Sequence, residues 1–441
     1  MRSSRASSIS TSISNVRPSS SELNIGDTIL IIDIKDVQAD FLEKQYAGAI
    51  GIKTEDAIGD DFPTTKKVYY VHYNNMDRRL DEWVDTSRIV DSFHQAPLTP
   101  GESIIKTRAQ RRIQEEFKHA PREFEEMDPT TAQFEKEHEE RTKVKNIDVI
   151  YFGRFEINAW YFSPFPESFS STRRLYFCEF CMVYTPDLEL YRHHMLHQCK
   201  RRQPPGTEIY RDDNLKLAIF EVDGKANKTY CQCLCLLAKL FLDHKTLYFD
   251  VDLFLFYILC EVDERGAHTV GFFSKERGST NNLACIMVLP PFQRKGYGKL
   301  LIQLSYWLSH REGRIGTPEK PLSDLGKVSY RSFWWWLLLG KLDEIPTENI
   351  MTVNDLSRIT GIHPDDIQST FTPMGLCKFW RGIGQISGEY VVNTNPQIIQ
   401  YFKSQTKLYK EPRIILDPDL LRWKPKKEIF VPTSSQFSEN L

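Results

Sequence analysis

Apolar and polar positions along the chain change rhythm several times, and each change marks a different kind of element. Asp27-Thr-Ile-Leu-Ile-Ile-Asp and Lys67-Val-Tyr-Tyr-Val-His-Tyr are rich in β-branched and aromatic residues, and Arg79-Leu-Asp-Glu-Trp-Val brings a tryptophan to a further short strand. Short strands around several aromatics predict a small curled β domain over 23–92. Residues 1–22, rich in serine with scattered arginine, read as a disordered tail. Residues 93–145 form a charged linker, basic at Arg108, Arg111 and Arg112 and then acid-rich from Glu123 to Glu140, with too few large apolar residues for a core of its own.

From residue 146 to about 425 the chain is dense in aromatics and mixes strand and helix patterns, which predicts an α+β fold. Ala284-Cys-Ile-Met-Val-Leu-Pro reads as a buried strand. Gln293-Arg-Lys-Gly-Tyr-Gly-Lys follows, and Leu300-Leu-Ile-Gln-Leu-Ser-Tyr is a helical run. Leu247 to Leu259, the most apolar stretch, is read as buried strand and helix because Asp250 and Asp252 interrupt it. The stretch from Thr352 to Thr370 predicts two short helices about Gly361. Extended residues from Glu389 follow, and the whole is a winged-helix pattern. Residues 426–441 are a tail.

Composition narrows the classes. At 441 residues, two or three domains fit, and 41% hydrophobic with 26% charged residues describes a soluble globular protein. A net charge of −2 supplies no overall pull toward nucleic acid, so any such binding rests on local patches. No stretch reaches the ~20 apolar residues of a membrane span. Nine cysteines without a signal peptide predict a reducing compartment, cytosol or nucleus, where clustered thiols bind metal or serve chemistry.

Two motifs carry chemistry. Cys178 and Cys181, two residues apart, are followed after twelve residues by His194 and after four more by Cys199. That order matches a zinc finger with cysteine in place of the last histidine, and four protein ligands make the site structural. His193 and His197 compete with His194 for the histidine role, and the helix after the twelve-residue gap is expected to supply the second pair. The second motif is the strand, glycine-rich turn and helix around Gly296 and Gly298. Bare glycines and a helix N-terminus suit a pyrophosphate. As a pattern it is weak alone, and its placement between strand and helix strengthens it. Glu319 and Cys285, on residues alone, are an ordinary surface acid and a small buried hydrophobe.

Together these pieces resemble the MYST family of histone acetyltransferases. The resemblance runs from about residue 23 to 425 through Cys178-Glu-Phe-Cys, Gln203-Pro-Pro-Gly-Thr-Glu-Ile-Tyr-Arg, Leu234-Cys-Leu-Leu-Ala-Lys-Leu-Phe-Leu-Asp-His-Lys-Thr-Leu-Tyr, Gln293-Arg-Lys-Gly-Tyr-Gly-Lys and Pro318-Glu-Lys-Pro-Leu-Ser-Asp-Leu-Gly. Glu126-Met-Asp-Pro-Thr-Thr-Ala, Ala159-Trp-Tyr-Phe-Ser-Pro-Phe-Pro and Leu247-Tyr-Phe-Asp-Val are most similar to its males-absent-on-the-first branch, and the segment around Trp83 resembles that branch's chromo barrel.

The resemblance implies an acetyl-CoA-binding core of the GNAT-like kind over 210–345, a structural zinc finger over 173–200 and a winged-helix-like flank over 346–425. It implies acetyl transfer to lysines of histone tails, that of histone four foremost, in the nucleus and on nucleosomes, within a multisubunit chromatin complex. For the residues it implies Glu319 as general base and Cys285 as the active-site cysteine, either acetyl carrier or pocket wall. Ile286, Met287 and Val288 would meet the acetyl and pantetheine arm, and Gln293, Arg294, Lys295, Gly296, Tyr297, Gly298 and Lys299 the pyrophosphate. Ser323 and Ser332 would add cofactor contacts, and Lys245 matches an autoacetylated lysine. The barrel is left with RNA, methyl-lysine or neither as ligand; Tyr70, Tyr73 and Trp83 are its cage candidates, and core packing is the expected job of at least two.

The chain departs from the family in the four-residue gap before Cys199, in Trp307 where an acid is usual, in a short loop before Cys285 and in a long wing after Arg381. Two rival readings remain. A catalytically silent chromatin reader would have a damaged loop or lack the acid, yet Gly296, Gly298 and Glu319 are present. A DNA-binding regulator would want a basic recognition helix, whereas Asp355, Asp365 and Asp366 make that region acidic. The uncharged residues around Cys285 are expected to disfavour its thiolate unless a cation folds nearby, which favours direct attack on the thioester over a ping-pong route.

Overall fold

The computed structural model describes residues 28–31, 38–46, 67–73, 77–85, 89–93, 142, 144–169, 171–243, 245, 247–344, 351–381, 388–405 and 410–425. The tail over 1–22, most of the linker and the tail over 426–441 lie outside the described residues. The chain divides into two compact units, one of residues 1–148 with 159–173, the other of 149–158 with 174–441.

In the first unit, β1 (Thr28–Ile31), β2 (Gln38–Tyr46), β3 (Lys67–Tyr73), β4 (Glu82–Asp85) and β5 (Ile89–Phe93) form an antiparallel sheet in the order β4-β3-β2-β1-β5. Irregularities at Leu30/Ile31 and Phe41/Glu43 bend it, as bulges do. Tyr70 and Tyr73 are fully buried, and Trp83 meets Tyr70 edge-on at 5.2 Å. Two of the three cage candidates are therefore core residues. Residues 144–148 and 159–173 complete this unit: the buried Lys145 ammonium donates to the Asp81 carbonyl at 3.0 Å, Tyr161 donates to Asp77 at 2.6 Å, and the Arg173 guanidinium covers Trp83. Asp81 itself is buried against His72 at 2.8 Å, and burial holds its carboxyl above the usual range.

The second unit opens with β6 (Val149–Phe152), β7 (Phe155–Asn158), β8 (Arg174–Phe177) and β9 (Tyr184–Thr185), ordered β7-β6-β8-β9 with β6 and β8 parallel. Helix α1 (Leu188–His193) runs into a π-helical turn over 194–198. The central sheet is an antiparallel meander of β10 (Thr207–Asp212), β11 (Leu217–Asp223), β12 (Phe254–Asp263), β13 (Gly266–Glu276) and β14 (Cys285–Val288), with α2 (Lys228–Lys239) between β11 and β12. β11 and β12 are buried almost without alternation, the pattern of strands covered on both faces.

The stretch from Leu247 corrects the expectation of a buried helix. Residues 247–253 form a loop in which Leu247, Phe249 and Leu253 are exposed, and only Val251 is buried. Its backbone is anchored instead, by Gln232 donating to the Phe249 carbonyl at 2.9 Å and by the Gly224 amide on Phe254. The side chains are thereby free to face solvent.

Beyond the sheet come α3 (Tyr297–Arg311), packed on β13 and β14, and α4 (Asp324–Glu344). The flank then holds β15 (Met351–Thr352), α5 (Val353–Thr360), α6 (Pro364–Phe371), β16 (Cys377–Trp380), β17 (Glu389–Val392) and α7 (Pro396–Ser404), with strands ordered β15-β17-β16. This is the winged-helix layout expected from the sequence. A capping box between Thr352 and Asp355 starts α5, and Gly361, in the left-handed region at φ 71°, ends it.

Candidate active site and metal centre

The metal centre is built from two turns. After β8, the Cys178 amide bonds the Val183 carbonyl and Met182 adopts φ 62°, a tight turn that brings Cys178 and Cys181 together. The second turn is the π-helical one, closed by Cys199 N–H donating to His194 O at 2.7 Å. A π-turn holds one residue more than an α-turn. This accommodates the four-residue gap and still brings Cys199 beside His194, so the second pair brackets the π-turn rather than riding on a regular helix.

Cys181 Sγ lies 3.2 Å from His194 Nε2 and Cys178 Sγ 3.7 Å from Cys199 Sγ, and the four ligand atoms lie within 4.8 Å of one another. His193 and His197 pair with each other, ring centroids 5.1 Å apart, outside that group. Among the three histidines, geometry selects His194. The hydrogen bond shared with Cys178 lowers the Cys181 thiol, and the His194 ring beside it acts in the same direction. Three sulfurs and an imidazole fit zinc with no position left open.

The glycine-rich turn and Cys285 lie at the edge of the central sheet. Gly271, Phe272, Phe273 and Ser274 pair with Val288, Met287, Ile286 and Cys285, and β14 is the last strand. Gln293 turns its side-chain amide onto the Val288 carbonyl at 2.9 Å, tying the loop to the strand end. Arg294 at φ 63° and Gly296 at φ 106° then reverse the chain so that α3 begins with its first N–H groups presented to the loop. A side chain on Gly298 would meet open space, whereas one on Gly296 would press on Arg413. Unpaired N–H groups and the positive end of a fifteen-residue helix make an anion cradle.

Other residues of the loop serve the scaffold. Tyr297 is buried and donates to Glu261 at 2.6 Å; Lys295 sits 5.0 Å over the Phe292 ring and Lys299 donates to the Lys410 carbonyl. Ser323 Oγ accepts from Gly326 N–H at the start of α4, and Ser332 lies half-buried along it.

The loop carrying Glu319 is held from the winged-helix flank. Asn282 N–H donates to Thr317 O and Glu319 N–H to Leu283 O at 2.8 Å, so residues 317–319 lie beside the strand leading into β14. On its other side Gly316 exchanges hydrogen bonds with Gly361 and His363. Asp366, only 1% exposed, accepts from Thr317 Oγ1 at 2.8 Å and pairs with Lys320 at 2.7 Å. The acids that argued against DNA binding thus have local work: Asp355 caps α5, and Asp366 fixes the loop carrying Glu319.

Burial raises the Glu319 carboxyl, Glu276 nearby raises it further, and Lys245 opposes both. Burial lowers Lys245 in turn, but the Cys285 and Cys235 sulfurs beside it outweigh that and leave it raised. The apolar strand around Cys285 therefore does not stand alone: a cation does fold beside it. Cys235, pushed up to about 11 by burial, completes this cluster. Sequence reasoning missed Cys235, Glu276 and Asp366, which join the site only through strand register and helix packing.

Three family models match successive segments: "RNA binding activity-knot of a chromodomain" over 42–91, "MYST family zinc finger domain" over 144–199 and "MOZ/SAS family" over 203–421. The rice "Putative MYST-like histone acetyltransferase 1" is 46% identical over 367 residues, covering 82% of this chain and 78% of its own length. The chain belongs to the MYST family of histone acetyltransferases. The "Histone acetyltransferase of the MYST family 1" of Arabidopsis thaliana matches with the same identity and coverage. "Histone acetyltransferase MOF" of Drosophila melanogaster is 43% identical over 413 residues, 81% of this chain, which spans about half (49%) of that relative's length. Within the MYST family the acetyltransferase domain uses acetyl-CoA and the finger holds zinc, as the donor set here fits.

Two outcomes test this geometry. Cys178→Ser or Cys181→Ser should release about one zinc per chain and lower the unfolding temperature, since metal binding is folding free energy here. His194→Ala should lose metal while His193→Ala and His197→Ala keep it, read by metal analysis of the purified variants. Asp366→Ala should cost about 1–3 kcal/mol of stability and, by loosening the Glu319 loop, reduce turnover by about tenfold or more. Acetyl-CoA affinity should hold, which calorimetric titration checks.

Proposed function

We propose that this chain transfers the acetyl group of acetyl-CoA to lysines of histone tails, that of histone four foremost, by direct attack with Glu319 taking the proton. The observation that carries the reading is the convergence of Cys285, the anion cradle before α3 and Glu319 on one sheet edge. The lysine nitrogen bonds to the thioester carbonyl carbon, the carbon–sulfur bond breaks, and CoA leaves as the thiol once the thiolate is protonated. A lysine attacks only when neutral, and a carboxyl held above its usual range accepts the ammonium proton more readily than an ordinary surface acid does. Cys285 lines the wall beside the acetyl group; because the Lys245 cation beside it removes the argument from uncharged surroundings, direct attack rests instead on Glu319, held at the strand edge with its carboxyl raised by burial. Ile286, Met287 and Val288 offer the strand edge to the pantetheine arm, the loop from Gln293 to Lys299 receives the pyrophosphate, and Ser323 and Ser332 add contacts. Lys245, placed between the two thiols, is the lysine modified by autoacetylation.

The same reading assigns the chain to the nucleus, with nucleosomes as substrate and a multisubunit chromatin complex as its setting. For the β domain, burial of Tyr70 and Tyr73 removes two walls of a methyl-lysine cage, which favours RNA as ligand. A catalytically silent reader would have no use for an intact cradle and a Glu319 loop braced through Thr317 and Lys320 by a buried aspartate.

Glu319→Gln should lower kcat by about a hundredfold at neutral pH and leave the KM for acetyl-CoA unchanged. The deficit should narrow at high pH, where more lysine is already neutral. In the parent enzyme the rate should fall as pH drops through the raised Glu319 value, above the ordinary carboxylate range. Equal rates of variant and parent at pH 7 would sink the assignment. Cys285→Ala should retain much of the activity, and double-reciprocal plots at several peptide concentrations should intersect. Parallel lines with an isolable acetyl-Cys285 would establish the ping-pong route instead.

A further inference from the structure

Glu276 ends β13 with its side chain half-buried, and the mechanism above does not use it. The ladder pairs Ser274 with Cys285, and antiparallel strands advance in opposite directions. The pairing stops there: the Ala284 amide also donates to the Ser274 carbonyl, and Leu283 bridges Pro318 instead, while Glu276, two residues further along β13, stands on the face that Ser274 shares with Cys285. Leu283 is also the residue whose carbonyl receives the Glu319 amide. Glu276 on β13 and Glu319 on the loop beside Leu283 therefore both approach the Cys285 end of β14, away from the anion cradle at its other end, and close enough for the charge of one to act on the other.

Neighbouring charges leave Glu276 available. Lys275 before it pairs with Glu312, and Arg277 after it pairs with Asp223 at 2.7 Å. Around Glu319 the charged groups among the described residues are Glu276 on β13 and Lys245 after α2, while Lys320 on its own loop is turned to Asp366. One carboxylate suffices to take a proton, so the second has another use.

We infer that Glu276 is a specificity-determining carboxylate that captures the ammonium form of the incoming lysine and delivers it to Glu319. This rests on the proposed role of Glu319 as base. Capture by Glu276 selects a cationic side chain, and its negative charge raises the proton affinity of Glu319, so the proton moves to Glu319 as the amine nitrogen turns to the thioester.

The test uses the full chain, acetyl-CoA and two synthetic peptides of the histone-four tail, one with the target lysine and one with norleucine in its place as competitor. In the parent, the lysine peptide should bind more tightly than the norleucine peptide. In Glu276→Gln that preference should shrink by about tenfold, with a matching rise in peptide KM, as expected for loss of one close charge pair. The acid limb of kcat/KM should also move to lower pH, because Glu319 loses a like charge beside it, and Glu276→Asp should restore part of both effects. Unfolding temperature and acetyl-CoA affinity, measured on each variant, separate a local effect from misfolding. An unchanged lysine-over-norleucine preference in a folded Glu276→Gln would overturn the inference. Failure of the base assignment reads differently: Glu319→Gln would then keep the parent's rate and acid limb whatever Glu276 does.

Discussion

A sheet that ends on a four-residue strand leaves a row of backbone N–H and C=O groups at its edge, and buried polar groups of that kind must find partners. Much of the site follows from how this edge is completed. At one end Gln293 takes the Val288 carbonyl and the chain turns into α3. At the other, residues 317–319 lie along the strand leading into β14 and fix Glu319 through its backbone rather than its side chain. The stretch between carries Cys285, Ile286 and Met287 and is where an acetyl donor can lie. Cys285 and Glu319 therefore inherit their spacing from strand geometry.

The electrostatics follow from that arrangement. Lys245 sits between the Cys285 and Cys235 sulfurs, and the same cation opposes the rise of the Glu319 carboxyl that burial and Glu276 produce. Positive charge thus lies on the thiol side and negative charge around Glu319 and Glu276. The winged-helix flank contributes a buried aspartate to the loop that makes this separation durable: Asp366 holds Thr317 and Lys320, while the backbones of Gly361 and His363 hold Gly316. In this chain the flank supports chemistry by packing.

The metal centre obeys a different constraint. Four soft and borderline ligands must converge within a few ångströms, and the π-helical turn lets Cys199 do so across one extra residue. In the β domain, aromatics that could have formed a cage are instead spent on the core, with Trp83 lying against Tyr70 and beneath Arg173.

Sequence alone determined the elements and the chemistry of the ligands. Thiol and imidazole spacing, a glycine turn between strand and helix, and two short helices before a hairpin are local patterns, written within about twenty residues, and the structure has each of them. Tertiary structure decided what no local pattern contains. Spacing named His194 with His193 and His197 as rivals, and only the fold, through the π-turn, aimed it at Cys181. Leu247, Phe249 and Leu253 read as core until backbone anchoring turned them outward. Cys285 looked uncharged in its surroundings because Lys245, forty residues earlier, reaches it only through the fold. Glu276 was one acid among many, and only the pairing of β13 with β14, a long-range property, brought it to the Cys285 end of the sheet edge where Glu319 is held.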